Sequence, residues 1–225
     1  MTQYNSRLHR LSDCRIFFDF DNTITTFDVL DGLIKKFSIN QDWEKSECLW
    51  KSGKIGSKEC LKRQLAQLEM TKQDLDNYIS TVNILPNFDK LVIFLKQKGI
   101  QPVILSDSFS PIIKDILKAK GIKGVKVFAN NFKLVGNKVI PSFPYANNKC
   151  GKCGHCKKNQ LKKREFWDKL IMYVGDGRSD VCPAQEADIV FAKGYLLEFF
   201  KKKKKLCMAF NDFADVLNYF RRLDS

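Results

Sequence analysis

The chain has 225 residues, and its 39 Lys and Arg against 25 Asp and Glu give a formal net charge of +14. With 44% hydrophobic residues, 18 of them Phe, it can bury a sizeable core, which excludes global disorder and fits one α/β domain with an insertion or two very small domains. No run approaches the roughly 18 apolar residues of a membrane span, and the polar stretch from Met1 to Cys14 lacks the apolar centre of a secretory signal, so a soluble, cytoplasmic protein is expected.

Strand-length apolar runs punctuate the sequence. The first, Ile16-Phe17-Phe18, leads into Asp19-Phe20-Asp21-Asn22-Thr23. From about Leu30 to Val82 the pattern changes. Helix-like segments lie around Asp42–Lys51, Ser57–Leu68 and Thr71–Ser80, with no strand between them. Residues 30–82 therefore read as a helical insertion, and 1–29 with 83–225 as the core domain. Asn87–Lys98 places Phe88, Leu91, Val92 and Leu95 at helical spacing. A second run, Pro102–Leu105, ends in Ser106-Asp107-Ser108. Ser110–Lys120 is expected to be a helix with a Ser cap, Pro111 at its start and Gly121 after its end.

Val125–Val139 carries β-branched residues around Gly136-Asn137 and predicts a hairpin. Leu170–Val174 leads into Gly175-Asp176-Gly177-Arg178-Ser179-Asp180. Asp188–Ala192 and Cys207–Phe210 complete the strands. Unalternating strands separated by helices are the mark of a doubly wound parallel α/β sheet, whose ligands bind at the carboxyl ends of the strands.

Three of these strands end in acids or hydroxyls at that edge. Asp19 and Asp21, two residues apart, suit a nucleophile and a proton carrier. A solvated turn is the alternative, since Asp-Asn-Thr is good turn chemistry. The ordered set Asp19-x-Asp21-x-Thr23, Ser106, Lys157 and Gly175-Asp176-x-x-x-Asp180 resembles the four motifs of the haloacid dehalogenase superfamily. The insertion resembles the helical cap of its phosphoserine phosphatase-like branch. Asp19 to Thr26 and the Cys-rich stretch before Lys157 are similar to the methionine-salvage phosphatases of 2-hydroxy-3-keto-5-methylthiopentenyl-1-phosphate. Ser106-Asp107 and Tyr173 to Gly177, followed by Asp180, Cys182 and Pro183, are similar to phosphoethanolamine/phosphocholine phosphatases.

The resemblance implies a haloacid dehalogenase-like Rossmannoid fold and Mg2+-dependent hydrolysis of a small phosphate monoester through an aspartyl-phosphate. It implies Asp19 as nucleophile and Asp21 as general acid and base. Magnesium would lie among Asp19, the main-chain carbonyl of Asp21 and Asp176, with Asp180 holding its water shell or binding it directly. Ser106 and Lys157 would hold the phosphoryl oxygens, with Thr23 bracing the loop beside them. Lys158, Lys162 and Lys163 are the competing lysines. Asp28 and Asp107 are the candidate specificity residues; the alternatives are a helix N-cap for Asp28 and a cap of the helix near Ser110 for Asp107.

The partner implied is a small phosphorylated metabolite, either a methionine-salvage-type ketose phosphate or an amine-bearing monoester, with no nucleic acid. A phosphotransferase on the same scaffold and a non-catalytic basic binding module are the alternative functions. Cys150, Cys153, His155 and Cys156 have zinc-like spacing in a Gly-rich loop; reduced thiols or an occasional disulfide are the alternative. Lys201–Lys205 reads as a solvated face or an anion contact.

Overall fold

The computed structural model describes residues 13–224 apart from 148, 150, 164, 165 and 167. Residues 1–12 of the expected core domain and Cys150 of the cysteine cluster thus lie outside the described residues. One sheet runs in the order β4-β3-β2-β1-β5-β6-β7. At its centre β1 (Cys14–Phe18) pairs in parallel with β2 (Pro102–Phe109) and with β5 (Leu170–Gly175). On one side β3 (Lys126–Val135) lies parallel to β2, and β4 (Lys138–Ser142) closes the hairpin expected around Gly136-Asn137. On the other, β6 (Ile189–Ala192) and the short β7 (Met208–Ala209) continue the parallel order.

Both faces of the central strands are buried, which is why the runs do not alternate. From β1, Ile16 and Phe18 join α5 (Phe88–Gln97), α6 (Ser110–Ala119) and α10 (Phe213–Asp224) in one apolar cluster. Phe17 points the other way, into a cluster shared with α7 (Lys157–Leu161), α8 (Val181–Ala184) and α9 (Gly194–Lys202). Phe88, Leu91, Val92 and Leu95 are all buried, as their spacing requires. In α6 the expected Ser cap is absent. Ser110 is the first helical residue, Phe109 stands at the N-cap, and no side chain caps it.

Four helices follow β1 before the chain returns to the sheet: α1 (Val29–Phe37), α2 (Trp43–Lys51), α3 (Ser57–Leu65) and α4 (Lys72–Ser80). Of these, α1 is not among the expected elements, and neither is α10. The outgoing and returning chains pair with each other. Thr26 N–H donates to Asn83 O at 3.1 Å and Leu85 N–H to Ile24 O at 2.8 Å. The buried apolar side chains of α1, α3 and α4 join the larger core cluster, so the insertion packs on the sheet domain without a separate core. No helix among the described residues is long and apolar enough to cross a membrane.

Candidate active site

The carboxyl ends of β1, β2 and β5 converge on a cavity of about 140 Å³, walled on the far side by α1, α2 and α3. Asp19, at the end of β1, is 6% exposed. Lys157 Nζ reaches it from the start of α7, 2.5 Å from Oδ1, and also donates to Asp180 Oδ1 at 2.8 Å and Ser179 Oγ at 3.3 Å. Lys157 is 3% exposed. Burial works against its charge, but Asp180 and Asp19 outweigh it and raise its pKa well above the usual lysine range. Lys158 and Lys162 instead turn outward to Glu186.

Asp180 is fully buried and does not line the cavity. Its Oδ1 accepts from Lys157 and from the Tyr173 hydroxyl at 2.6 Å; its Oδ2 accepts the N–H groups of Asp176 at 3.0 Å and Gly177 at 2.9 Å. Both oxygens are thus committed to holding the loop after β5. Gly175 makes room for it, since a Cβ there would stand 2.7 Å from the Asp180 carboxylate. Asp176 faces the cavity. Asn22 Nδ2 donates to its Oδ2 at 2.6 Å and Thr23 Oγ1 to its Oδ1 at 2.9 Å. Thr23 is buried, does not line the cavity and spends its hydroxyl on Asp176, so it orients that carboxylate and does not reach the cavity itself. Asn22 reaches Asp176 from a left-handed turn, φ 51°, a conformation Asn tolerates better than most residues.

Asp21 lies beneath the start of α1. Its Oδ1 accepts the N–H groups of Val29 and Leu30, both at 3.1 Å, and its Oδ2 accepts from the Ser106 hydroxyl at 3.2 Å. Burial nevertheless raises its pKa to about 6, against the pull of these hydrogen bonds. Asp28 is the N-cap of α1, accepting the Asp31 N–H at 2.8 Å, and it lines the cavity as well. Asp107 also lines the cavity, but its Oδ1 accepts the His155 N–H at 2.8 Å, and it caps no helix.

The zinc reading, whose Cys150 lies outside the described residues, is not supported. Among the described residues Asp19, Asp176 and Asp180 form the one group of potential ligand atoms within 4.8 Å of each other, and Cys153, His155 and Cys156 form none. His155 instead turns Nδ1 toward the main-chain oxygen of Ser106, at 2.9 Å. Asn22, Tyr173 and His155 were not legible as contributors to this site. Their partners lie 154, 7 and 49 residues away, and only Tyr173, inside a motif, carried any local signal.

Asp19, Asp21, Asp176 and Asp180 bring four carboxylates together around the buried ammonium of Lys157, with Lys193 near Asp176 and Asp19 and Arg178 in the cavity lining. Burial, then repulsion by Asp180, raises Asp19 and Asp176 above the ordinary carboxylate range. Such an all-oxygen cluster, short of positive charge, suits a hard divalent cation.

Fold and site together define a phosphatase of the haloacid dehalogenase class, a phosphoric monoester hydrolase. The family profile named "Putative Phosphatase" matches residues 14–211, and the chain belongs to that family. A 2-hydroxy-3-keto-5-methylthiopentenyl-1-phosphate phosphatase of Geobacillus thermodenitrificans is 27% identical over 213 residues, 93% of this chain and 96% of that protein. The phosphoserine phosphatase of Homo sapiens is 24% identical over 204 residues, 89% of this chain and 90% of that protein. A solved phosphoserine phosphatase, a phospho-aspartyl intermediate analogue, shares the fold with a TM-score of 0.71 and 19% identity. That likeness covers 92% of this chain and 98% of the other.

Proposed function

We propose that the protein hydrolyses a small amine-bearing phosphate monoester through an aspartyl-phosphate on Asp19, with magnesium as cofactor. The Asp19 carboxylate attacks phosphorus, the bond to the ester oxygen breaks, and Asp21 gives that oxygen its proton. Water then attacks the aspartyl-phosphate and loses a proton to Asp21, which frees Asp19 and inorganic phosphate. A pKa of about 6 suits Asp21 to both halves near neutral pH. Ser106 and Lys157 hold the phosphoryl oxygens. Asp19, Asp176 and the main-chain carbonyl of Asp21 would hold magnesium, which when bound supplies charge neutralisation of the phosphoryl group. Residues 30–82 serve as a cap that limits access to small substrates, in keeping with the cavity's size, and the setting proposed is the cytoplasm.

The observation that carries the substrate class is the cap-side lining of the cavity, to which Asp28, Asp31, Glu47 and Trp50 all contribute. Carboxylates there repel an anionic leaving group and attract an ammonium, and an indole face adds to that attraction. Asp107, with one oxygen on His155, contributes less than its sequence position suggests. The second reading, a methionine-salvage-type ketose phosphate, rests on the similarity to the Geobacillus enzyme.

The deciding measurement is kcat/KM for phosphoethanolamine against glycerol phosphate in wild type and in Asp28→Asn. Burial and the neighbouring Asp21 and Asp31 raise the Asp28 carboxyl well above the usual range, and an ammonium beside it would favour its charged form; Asn caps a helix as well as Asp, so the substitution removes that carboxylate and spares α1. The amine preference should fall roughly tenfold. Equal rates on both esters in wild type would favour the ketose reading. Asp19→Asn should lower turnover by at least about four orders of magnitude, and retention of more than a small fraction of kcat overturns the covalent route.

A further inference from the structure

The phosphate-facing groups come from distant parts of the chain, and a single residue ties them together. His155 lies two positions before Lys157. Its main-chain N–H donates to Asp107 Oδ1 at 2.8 Å, and its Nδ1 is 2.9 Å from the main-chain oxygen of Ser106. A carbonyl oxygen has no proton to give, so Nδ1 carries the hydrogen. Nε2 is then a bare acceptor, and it is buried without a hydrogen-bond partner among the described residues. Burial also lowers the histidine pKa to about 4, which keeps the ring neutral. The residue is 2% exposed, does not line the cavity, and packs its ring on Tyr145 with centroids 5.0 Å apart.

The backbone of β2 is shaped for this contact. Its pairing with β3 passes from Ser106↔Ala129 directly to Phe109↔Asn130, so Asp107 and Ser108 are extra residues on β2. A bulge of this kind re-aims side chains and takes backbone groups out of the ladder. His155 meets the Ser106 oxygen there, and Asn130 Nδ2 donates to the Asp107 oxygen at 2.6 Å. The Ser106 hydroxyl is aimed in turn, accepting the Ser108 N–H at 2.9 Å and donating to Asp21.

We infer that His155 is a positioning residue for phosphoryl transfer. Through Nδ1–H, and with Asp107 as the anchor of its main chain, it fixes the bulge of β2 relative to the start of α7, so that the Ser106 hydroxyl and the Lys157 ammonium meet one phosphoryl group. This rests on the phosphate-holding roles proposed for Ser106 and Lys157.

The test compares His155→Asn with His155→Gln. The Asn amide nitrogen falls where Nδ1 stands, whereas that of Gln reaches the position of Nε2, which has no partner to serve. Gln is nearer to His in size, so a packing role alone would favour it. His155→Asn should keep kcat for p-nitrophenyl phosphate within about threefold of wild type, and His155→Gln should lose about a hundredfold, the scale of a misplacement near 1 Å. The inhibition constant of inorganic phosphate should rise in the Gln variant and hold in the Asn variant.

A Gln variant equal to wild type, or folded Asn and Gln variants equally impaired, overturns the inference. Should His155→Asn fail to fold, His155→Phe decides: it keeps a ring to pack on Tyr145 but has no Nδ1–H, so it should lose kcat as His155→Gln does, and a folded Phe variant equal to wild type overturns the inference. Ser106→Ala and Lys157→Met are measured alongside. If these keep wild-type kcat and phosphate inhibition, the phosphate-holding reading itself fails; if they fall while His155→Gln does not, only the positioning role fails.

Discussion

At Asp21 the proposed proton transfer and stability pull in opposite directions. Three hydrogen bonds reach its carboxylate, yet burial outweighs them and raises its pKa to about 6. An acid raised in this way contributes stability that is fully present below its unfolded value, near 4, and is lost as pH rises through about 6. In the metal-free protein the loss by pH 7 is on the order of 3 kcal/mol at most. Asp21→Asn removes the buried charge and keeps an acceptor for Val29 and Leu30. It should raise Tm by several degrees (roughly 5) at pH 7.5 in EDTA, give no gain at pH 4, and lower turnover by at least about a hundredfold. Calorimetry at the two pH values with kinetics at the higher one checks this; a variant that melts at or below wild type at pH 7.5 sinks the argument.

Between elements, a close joint holds α3 to the loop before α7. Ser57 Oγ accepts the Gly154 N–H at 2.9 Å, and Lys58 N–H donates to Lys152 O at 3.2 Å. A Cβ on Gly56 would stand 2.1 Å from Lys152 O, so no side chain fits without parting the two. Gly56→Ala should lower kcat about tenfold or more, because the same loop continues into His155 and Lys157. Ser57→Ala deletes one hydrogen bond without a clash and should lose less. Steady-state kinetics of both variants on one small ester gives the order, and a fully active Gly56→Ala shows the joint to be idle. At this scale the sheet strands were legible because burial on both faces leaves continuous apolar runs, as in Leu170–Gly175. The motif acids were legible because they end those strands. What was hidden depends on the fold. Lys157 and Lys158 are alike as sequence, and only the turn of α7 buries one against Asp19 while exposing the other to Glu186. Thr23 and Asn22 meet Asp176 across 153 and 154 residues, a distance no local pattern spans. His155 matched a metal-ligand spacing, yet what its ring meets is a carbonyl exposed by an irregularity in β2 that its sequence does not announce. The helix α10 had its pattern in plain view, Phe213, Val216, Leu217 and Phe220 at i, i+3, i+4 and i+7.

Over the whole molecule the charge is strongly positive, +14, while the lining of the candidate active-site cavity is rich in acids. A basic exterior draws phosphorylated anions by long-range attraction. Inside, the lining carries seven carboxyl groups against Lys157 and Arg178, and an anionic phosphoryl group adds to the surplus. The proposed divalent cation would then enter before or with the substrate, and it should bind the folded chain far better than the unfolded one. Binding of that kind stabilises by about 2.7 kcal/mol when the ion is present at a hundred times its Kd. Magnesium should thus raise Tm of the wild type by several degrees (about 5), raise it little in Asp176→Asn, and be required for turnover, which excess EDTA should abolish. Calcium takes more oxygen ligands at longer distances. It should raise Tm as well but compete with magnesium and inhibit. Thermal shift and turnover measured on the same samples separate binding from catalysis. Full activity in EDTA, or calcium supporting turnover as well as magnesium does, would mean that the acidic cluster of Asp19 and Asp176 does not work through a small hard cation.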